Sequence, residues 1–369
     1  TTLEDEFQMT HNQKTELINR VKLELKENHS AKEAENLVHL AQLYFQDSLT
    51  EDMVSEPIEN LYGTILCLWD FIKQRKSNTP TIRVYNPNYE EHSWHSTHTV
   101  IEILTDDMPF LVSSLNMAIA RLGHTIHKTS HPLLNLARNK SGEVTGLLEK
   151  SESANNESLM RFEIDRQSDS STFEATASAL LNTLADVKNT VDDWPAMQDR
   201  MKEIIAESTK VKHLKNDPEH KENIDFLRWI ANNHFTFIGF RSYDLEVKGD
   251  AAHLSLVPNS GLGTFRENKK EKSKKHIVLN EKLTKLAVNN TNLLVLTKST
   301  ALSTVHRPAH LDYLGIKRFN AKGEVIGEWR FFGLYSSAAY VARLQDIPLL
   351  SKKLEKIVKS TELHPDSHK

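Results

Sequence analysis

Glycine is scarce in this chain, with 12 among 369 residues, about half the usual share of roughly 7%. Sites that press backbone against a nucleotide phosphate need glycines at fixed spacing, and no such set is present. The nearest approach, Ser260-Gly261-Leu262-Gly263-Thr264-Phe265-Arg266, opens like a dinucleotide fingerprint but has Arg266 at the third glycine position. A Rossmann-type site is therefore not expected. Cysteine is almost absent too: Cys67 stands alone, so no intrachain disulfide can form, and a reducing, cytoplasmic setting is expected. No apolar run approaches the roughly 20 residues that span a bilayer. The opening residues TTLEDEFQMTHNQKTEL are polar and acidic, unlike a secretory signal. No membrane partner is expected, and a formal net charge of −4 argues against nucleic acid.

What is present reads as a globular α+β chain. Hydrophobic residues make up 38% and charged residues 26%, the balance of a protein with packed cores. A length of 369 residues exceeds one ordinary core, so several domains are expected. Residues 1–77 form a helical N-terminal segment. Thr10-x-x-Gln13 and Ser30-x-x-Glu33 have the form of capping boxes. Leu37, Leu40, Ala41, Tyr44 and Phe45 make one apolar stripe, and Ile58, Leu61, Tyr62, Ile65, Trp69 and Ile72 make another after Pro57. Stripes of this kind signal core packing.

Residues 78–195 change period. TPTIRVYN (79–86) is extended between two prolines. TVIEIL (99–104) reads as a buried strand, and Leu111, Leu115, Ala118, Ile119 and Leu122 then recur at helical spacing. Pro109 suits a first helical turn and Gly123 a stop. Strands follow at Ile126, at Leu133–Arg138 and Glu143–Leu148 around the turn Asn139-Lys-Ser-Gly142, and at Ser158–Arg166, before helical periodicity over Phe173–Val191. Strand, helix, strand, strand, helix is a ferredoxin-like order lacking its last strand. Trp194-Pro195 predicts a new helix rather than that strand, so TIRVYN is assigned as the fourth strand from upstream.

Residues 196–230 read as a helical connector, 231–345 as an antiparallel sheet domain and 346–369 as a C-terminal helix. Strands are predicted at His234–Val247, His253–Val257, Leu293–Lys298, His310–Phe319 and Val325–Tyr335, the last two joined through Asn320-Ala-Lys-Gly323. The basic run Arg266–Lys275 lacks interleaved aromatics and reads as a solvated loop.

Three clusters could carry chemistry. His92, His95 and His98 recur every third residue, but the spacing matches no zinc motif and a polar loop explains it; no metal is expected. His306 and Arg307 before Pro308 could contact an anion, although the proline alone accounts for an extended course there. Asp106, Asp107, Met108, Pro109, Phe110 and Leu111 lie where a strand runs into a helix N-terminus, whose bare amides suit a carboxylate.

Taken together, RVYNPNYEEHSWHSTHTVIEILTDDMPFLVSSLNMAIARLGHTIH (83–127), FEIDRQSD (162–169), VDDWPAMQDRM (191–201), FLRWIANNHFTFIGFRSYDL (226–245), VPNSGLGTFR (257–266) and residues 293–340 resemble the N-terminal part of the large bacterial NAD-specific glutamate dehydrogenases. The resemblance implies a regulatory and oligomerisation fragment with ACT-type and PAS-like domains. Catalytic residues and the NAD site would then belong to the remainder of the parent chain, so none is assigned within this fragment. It implies self-association, and an amino-acid effector at Asp106–Leu111, the effector turn of an ACT-type fold. There Phe110 replaces a glycine usual in ligand-binding members, and its β-carbon obstructs close approach. A purely structural assembly scaffold is the alternative. An independent enzyme using Asp165, His127 or His306 beside the aspartates lacks a nucleophile motif and a glycine-lined pocket.

Overall fold

A computed structural model describes residues 3–149, 156–267 and 276–352, with side chains from residue 12 onward. Most of the basic run Arg266–Lys275 and of the C-terminal helix expected over 346–369 lies outside the described residues. The chain divides into two compact units, residues 1–185 and 186–369.

In the first unit the order is α1 (Leu3–Asn28), α2 (Ala31–Gln46), α3 (Thr50–Val54), α4 (Ile58–Ile72), β1 (Thr81–Tyr85), α5 (Tyr89–His92), β2 (Thr99–Asp106), α6 (Leu111–Arg121), β3 (Ile126–Ser130), β4 (Leu133–Arg138), β5 (Val144–Leu148) and β6 (Glu157–Ile164). α1 starts at Leu3 and runs through Thr10, so the first predicted capping box marks no helix start. Ser30 does occupy the N-cap of α2, though its side chain makes no capping hydrogen bond. Both predicted stripes are core. Leu37, Leu40 and Phe45 of α2 and Leu61, Ile65, Trp69 and Ile72 of α4 share one buried cluster with Leu104 and Leu159 of the sheet.

The sheet runs β1-β2-β6-β4-β5, with β3 also paired to β6. β1 lies antiparallel on β2, Arg83 opposite Glu102, so the missing edge strand comes from upstream, as the sequence suggested. β2 and β6 are buried along their length, apart from Asp106 at one end. One face is apolar through Ile101, Ile103, Met160, Phe162 and Ile164, all nearly inaccessible. On the other, strand alternation places Arg83, Glu102, Arg161 and Glu163. The turn between β4 and β5 closes on Gly142 at φ 87°, a left-handed value natural to glycine, and Asn139 Oδ1 accepts from the amides of Ser141 and Glu143 at 3.0 Å each.

α7 (Ser170–Ser208) is one helix with Pro195 inside it, not two helices separated there. Proline removes one helical hydrogen bond, and thirteen further residues nevertheless remain helical beyond it. The second unit continues with α8 (Pro218–Trp229), β7 (Phe235–Lys248), β8 (Ala251–Leu256), β9 (Leu262–Gly263), β10 (His276–Val278), α9 (Glu281–Val288), β11 (Leu294–Leu302), β12 (His310–Phe319), β13 (Val325–Tyr335) and α10 (Ser337–Val341). All five long strands predicted from the sequence are present, in the antiparallel order β8-β7-β13-β12-β11. β9, β10 and α9 fill what reads in the sequence as an irregular middle. One sheet face packs Phe237, Phe240, Leu314, Ile316 and Phe331 against Met197, Met201 and Ile204 of α7 and Phe226 and Leu227 of α8. The whole is a mixed α+β fold: N-terminal helices, then two antiparallel sheets with flanking helices.

Candidate functional site

The turn predicted as an effector site is internally tied. Asp106, at the end of β2, receives a hydrogen bond from Nη2 of Arg75, whose Nε donates to Oε2 of Glu157 at 2.9 Å. Arg138 donates to Oε1 of the same glutamate at 2.6 Å. Asp107 accepts from the Ser158 hydroxyl at 2.7 Å, and that hydroxyl lies 3.0 Å from His131 Nε2. Burial lowers the pKa of His131 and the Asp107 carboxylate opposes this. Both aspartates are thus engaged by the protein itself. Pro109 is exposed and precedes α6, while Phe110 is its N-cap at φ 72°, ψ 2°. Leu111 is buried at the start of the helix.

A left-handed Phe110 is strained, because a β-carbon there crowds the following carbonyl. Phe110→Gly is therefore expected to be about 1 kcal/mol more stable than Phe110→Ala. Both remove the ring, and only glycine takes that φ freely. Equal urea midpoints for the two variants would contradict the assignment.

The histidines of the 92–98 loop do not converge. His92 lies 4.5 Å, ring to ring, from Tyr85, and His95 stacks on Tyr89 at 6.0 Å. His98 stacks on His127 at 4.4 Å and lies 3.2 Å from Oε2 of Glu163. Among the described residues no three potential ligands gather for a metal. Arg307 donates to the Tyr335 carbonyl at 2.8 Å and to the Tyr340 hydroxyl at 3.2 Å, which ties β13 to α10. His306 sits at φ 77°, and burial followed by the charge of Arg307 lowers its pKa. In the glycine-containing segment near 260–266, the Gly263 amide donates to Asp193 at 2.8 Å and Arg266 Nε to the same carboxylate at 3.0 Å. This is a structural clasp.

A different feature stands out in the first unit. A cavity of about 190 Å³ is enclosed by residues of α2, α3 and α4, by Trp94, and by β3 and β6. Arg161, 4% exposed, reaches it from β6. Its guanidinium lies 4.0 Å from the Trp94 ring centre. One terminal nitrogen donates to the Tyr44 hydroxyl at 2.9 Å and the other lies 3.5 Å from Glu163 Oε1. Nε of Arg161 and Nε1 of Trp94 are both buried without a hydrogen-bond partner, which is uncommon for buried donors. Glu163 also accepts from Ser96 at 3.0 Å. Burial pushes its pKa up, but Arg161, Lys128 and the hydrogen bonds of His98 and Ser96 outweigh that and hold it below the ordinary carboxylate value. Lys128, 3.5 Å from Glu56, and the carboxylates Asp47 and Asp52 complete a lining with charges of both signs.

Of the residues that line this cavity, His127 alone was weighed for chemistry from the sequence, as part of an independent enzyme's site. A signal was present: VIEIL and SLMRFEI place charges at alternate positions inside strands that are otherwise apolar, and charge facing a covered surface requires a partner.

Comparison with known proteins fits this architecture. Residues 40–180, which hold the cavity and all six described strands of the first sheet, match the family model described as glutamate dehydrogenase, ACT1 domain. The NAD-specific glutamate dehydrogenase of Halomonas elongata is 31% identical over 364 residues, covering 96% of this chain and 22% of that protein. That of Pseudomonas aeruginosa is 32% identical, covering 89% of the chain and 20% of the relative, and that of Mycobacterium tuberculosis is 22% identical over 272 residues. The chain spans about a fifth of the length of the first two relatives. No helix among the described residues is long and apolar enough to cross a membrane. Through residues 40–180 the chain is similar to the ACT1 domain of glutamate dehydrogenases.

Proposed function

We propose that this chain is an N-terminal, non-catalytic regulatory region of an NAD-dependent glutamate dehydrogenase, and that its ACT domain senses an amino acid. The parent enzyme would convert L-glutamate, NAD and water to 2-oxoglutarate, ammonium and NADH, with NAD bound outside this region. One observation carries the sensing part: the cavity above β6 has a buried arginine at its floor and carboxylates on its helical wall. A small zwitterion needs both, a cation for its carboxylate and an anion for its ammonium. The turn at Asp106–Leu111 supports the reading less well, because its carboxylates already have protein partners. Self-association of the region accompanies the proposal.

The test is a thermal-shift screen of the 369-residue chain against the twenty amino acids, with 2-oxoglutarate and NAD as further ligands. A ligand that binds only the folded state at a hundred times its Kd adds about 2.7 kcal/mol. A selective shift with one amino acid, lost in Asp52→Asn and Lys128→Gln but kept in Asp107→Asn, is the expected result. Loss in Asp107→Asn alone would return the site to the turn. Flat curves throughout would favour a scaffold that only holds subunits together.

A further inference from the structure

The two edges of the second sheet differ. One ends on β10, which is three residues long, and a short strand is a usual way to blunt an edge. The other ends on β11, nine residues long and free of proline, with β12 as its one strand neighbour. Every residue of β11 except Leu294 and Ser299 is exposed. Val295 and Leu296, which stand on opposite faces, are 37% and 44% exposed. The one charge on the strand, Lys298, pairs with Asp312 of β12 at 2.6 Å, so the lysine that would ordinarily guard an edge is neutralised from within the sheet. Register slips between Lys298 and Leu302, which leaves Leu294–Lys298 as the regular part of the edge.

Backbone direction follows from the pairing. The Leu293 carbonyl accepts from the Lys317 amide at 3.0 Å, and Leu294 lies opposite Ile316. Antiparallel alternation then turns the amides and carbonyls of Val295 and Thr297 toward β12 and those of Leu294, Leu296 and Lys298 away from it. Among the described residues no strand meets that outer row, and the Lys298 carbonyl has only the Thr297 hydroxyl, at 3.5 Å. On one face the edge is flanked by Leu283 and Leu286 of α9, which line one cavity with Val295 and are 46% and 56% exposed. Apolar side chains thus sit beside unpaired backbone.

We infer that this edge pairs with the same edge of a second copy of the chain, antiparallel and centred on Leu296. The segment Leu294-Val-Leu-Thr-Lys298 suits its own reverse. Leu296 meets its own copy, Val295 meets Thr297, and Lys298 meets Leu294 of the second copy. The two lysines therefore do not oppose each other, an arrangement in which like charges would repel. Leu294, Leu296 and Lys298 become the hydrogen-bonded pairs of the new ladder, so each outward amide and carbonyl gains the kind of partner that β12 supplies on the inner side. A two-fold axis through the ladder keeps like faces together, and the exposed leucines of both α9 helices come to flank the seam on one side. This pairing supplies the surface for the self-association in the proposed function and rests on that part of it; the amino-acid cavity of the first unit is independent of it.

The test is sedimentation equilibrium of the 369-residue chain over a range of concentrations. A monomer–dimer equilibrium is expected for the wild type. Leu296→Pro removes an amide that points away from β12, a position where an edge strand tolerates proline. It is expected to weaken the dimer about tenfold or more, the scale of losing a pair of backbone hydrogen bonds across the two-fold axis. Leu296→Lys sets like charges opposite each other and should weaken it likewise, whereas Leu23→Lys, at an exposed position of α1, should leave it unchanged. Leu296→Cys should give a covalent dimer on mild oxidation, because hydrogen-bonded pairs with Cα atoms about 5.5 Å apart suit a disulfide, and Leu302→Cys should not. Melting temperatures near that of the wild type show that each variant is folded. A wild-type chain that stays monomeric would overturn this pairing and self-association together, with amino-acid sensing still decided by the thermal-shift screen. A dimer left intact by folded Leu296→Pro and Leu296→Lys, with no crosslink through Leu296→Cys, would place self-association on another surface and overturn this pairing alone.

Discussion

Glu102→Ala is expected to lower the stability of the first unit by about 3–5 kcal/mol, the usual consequence of leaving a buried charge without its partner. Glu102 is fully buried at the centre of the first sheet. It accepts from Arg83 Nε at 2.9 Å on one side and from the Tyr85 hydroxyl at 2.9 Å, and it faces Arg161 across the strand on the other. Its removal leaves Arg161 to pair with Glu163 and leaves the buried Tyr85 hydroxyl with the weak partner Cys67 Sγ at 3.5 Å. Glu102→Gln preserves volume and some hydrogen bonding but not the charge, and should fall between. A triple variant that makes Arg83, Glu102 and Arg161 apolar should recover much of the loss, because well-packed hydrophobic groups often replace a buried ionic set at little net cost. Chemical denaturation followed by circular dichroism reads all three. A loss below about 1 kcal/mol in Glu102→Ala, the range of exposed pairs, would show that water reaches this row.

Phe331→Ala should destabilise the second unit by about 3–5 kcal/mol, the range for truncating a buried aromatic. Phe331 is wholly inaccessible, with ring centres 5.2 Å from Phe237 and 4.7 Å from Phe240. The three rings interlock on β7 and β13, the most extensively paired strands of that sheet. Collapse of neighbours into the space is restricted by that pairing, so the cavity term persists. Phe331→Leu should cost less by about the difference in buried volume. A shift of less than 1 kcal/mol in Phe331→Ala, measured by the same denaturation, would mean that the core there is loosely packed.

Much of the fold was legible because hydrophobic period is a strong local signal. Every long strand announced itself by alternation or by an apolar run, and the upstream edge strand followed from counting strands in a ferredoxin-like order. Errors fell where a local rule met a longer-range demand. Thr10-x-x-Gln13 has a capping pattern, yet α1 continues through it from Leu3. Trp194-Pro195 has the form of a helix start, yet α7 carries the proline within it. Pro109 suits a first helical turn, but Phe110 takes a left-handed conformation and α6 begins at Leu111. β9 and β10 have two and three residues, too few for any period to show.

The sites were less legible than the fold. Paired aspartates and spaced histidines draw the eye in a sequence, but side-chain partners decide their use, and Arg75 and Ser158 arrive from distant positions. Arg161 gave a weaker signal, one charge in an apolar strand, and its importance depends on helices folded over it from more than a hundred residues away.

The edge strand drawn from upstream also bears on synthesis. Once Ile164 has been added, every strand of the first sheet has been synthesised, β1 included. In the ordinary ferredoxin-like order the sheet stays open at one edge until its second helix has been made and the chain has returned. Here no later segment owes the sheet a strand. Both flanks of β2 can be hydrogen-bonded before α7 begins to form, and the row of unpaired amides that invites wrong partners is covered early.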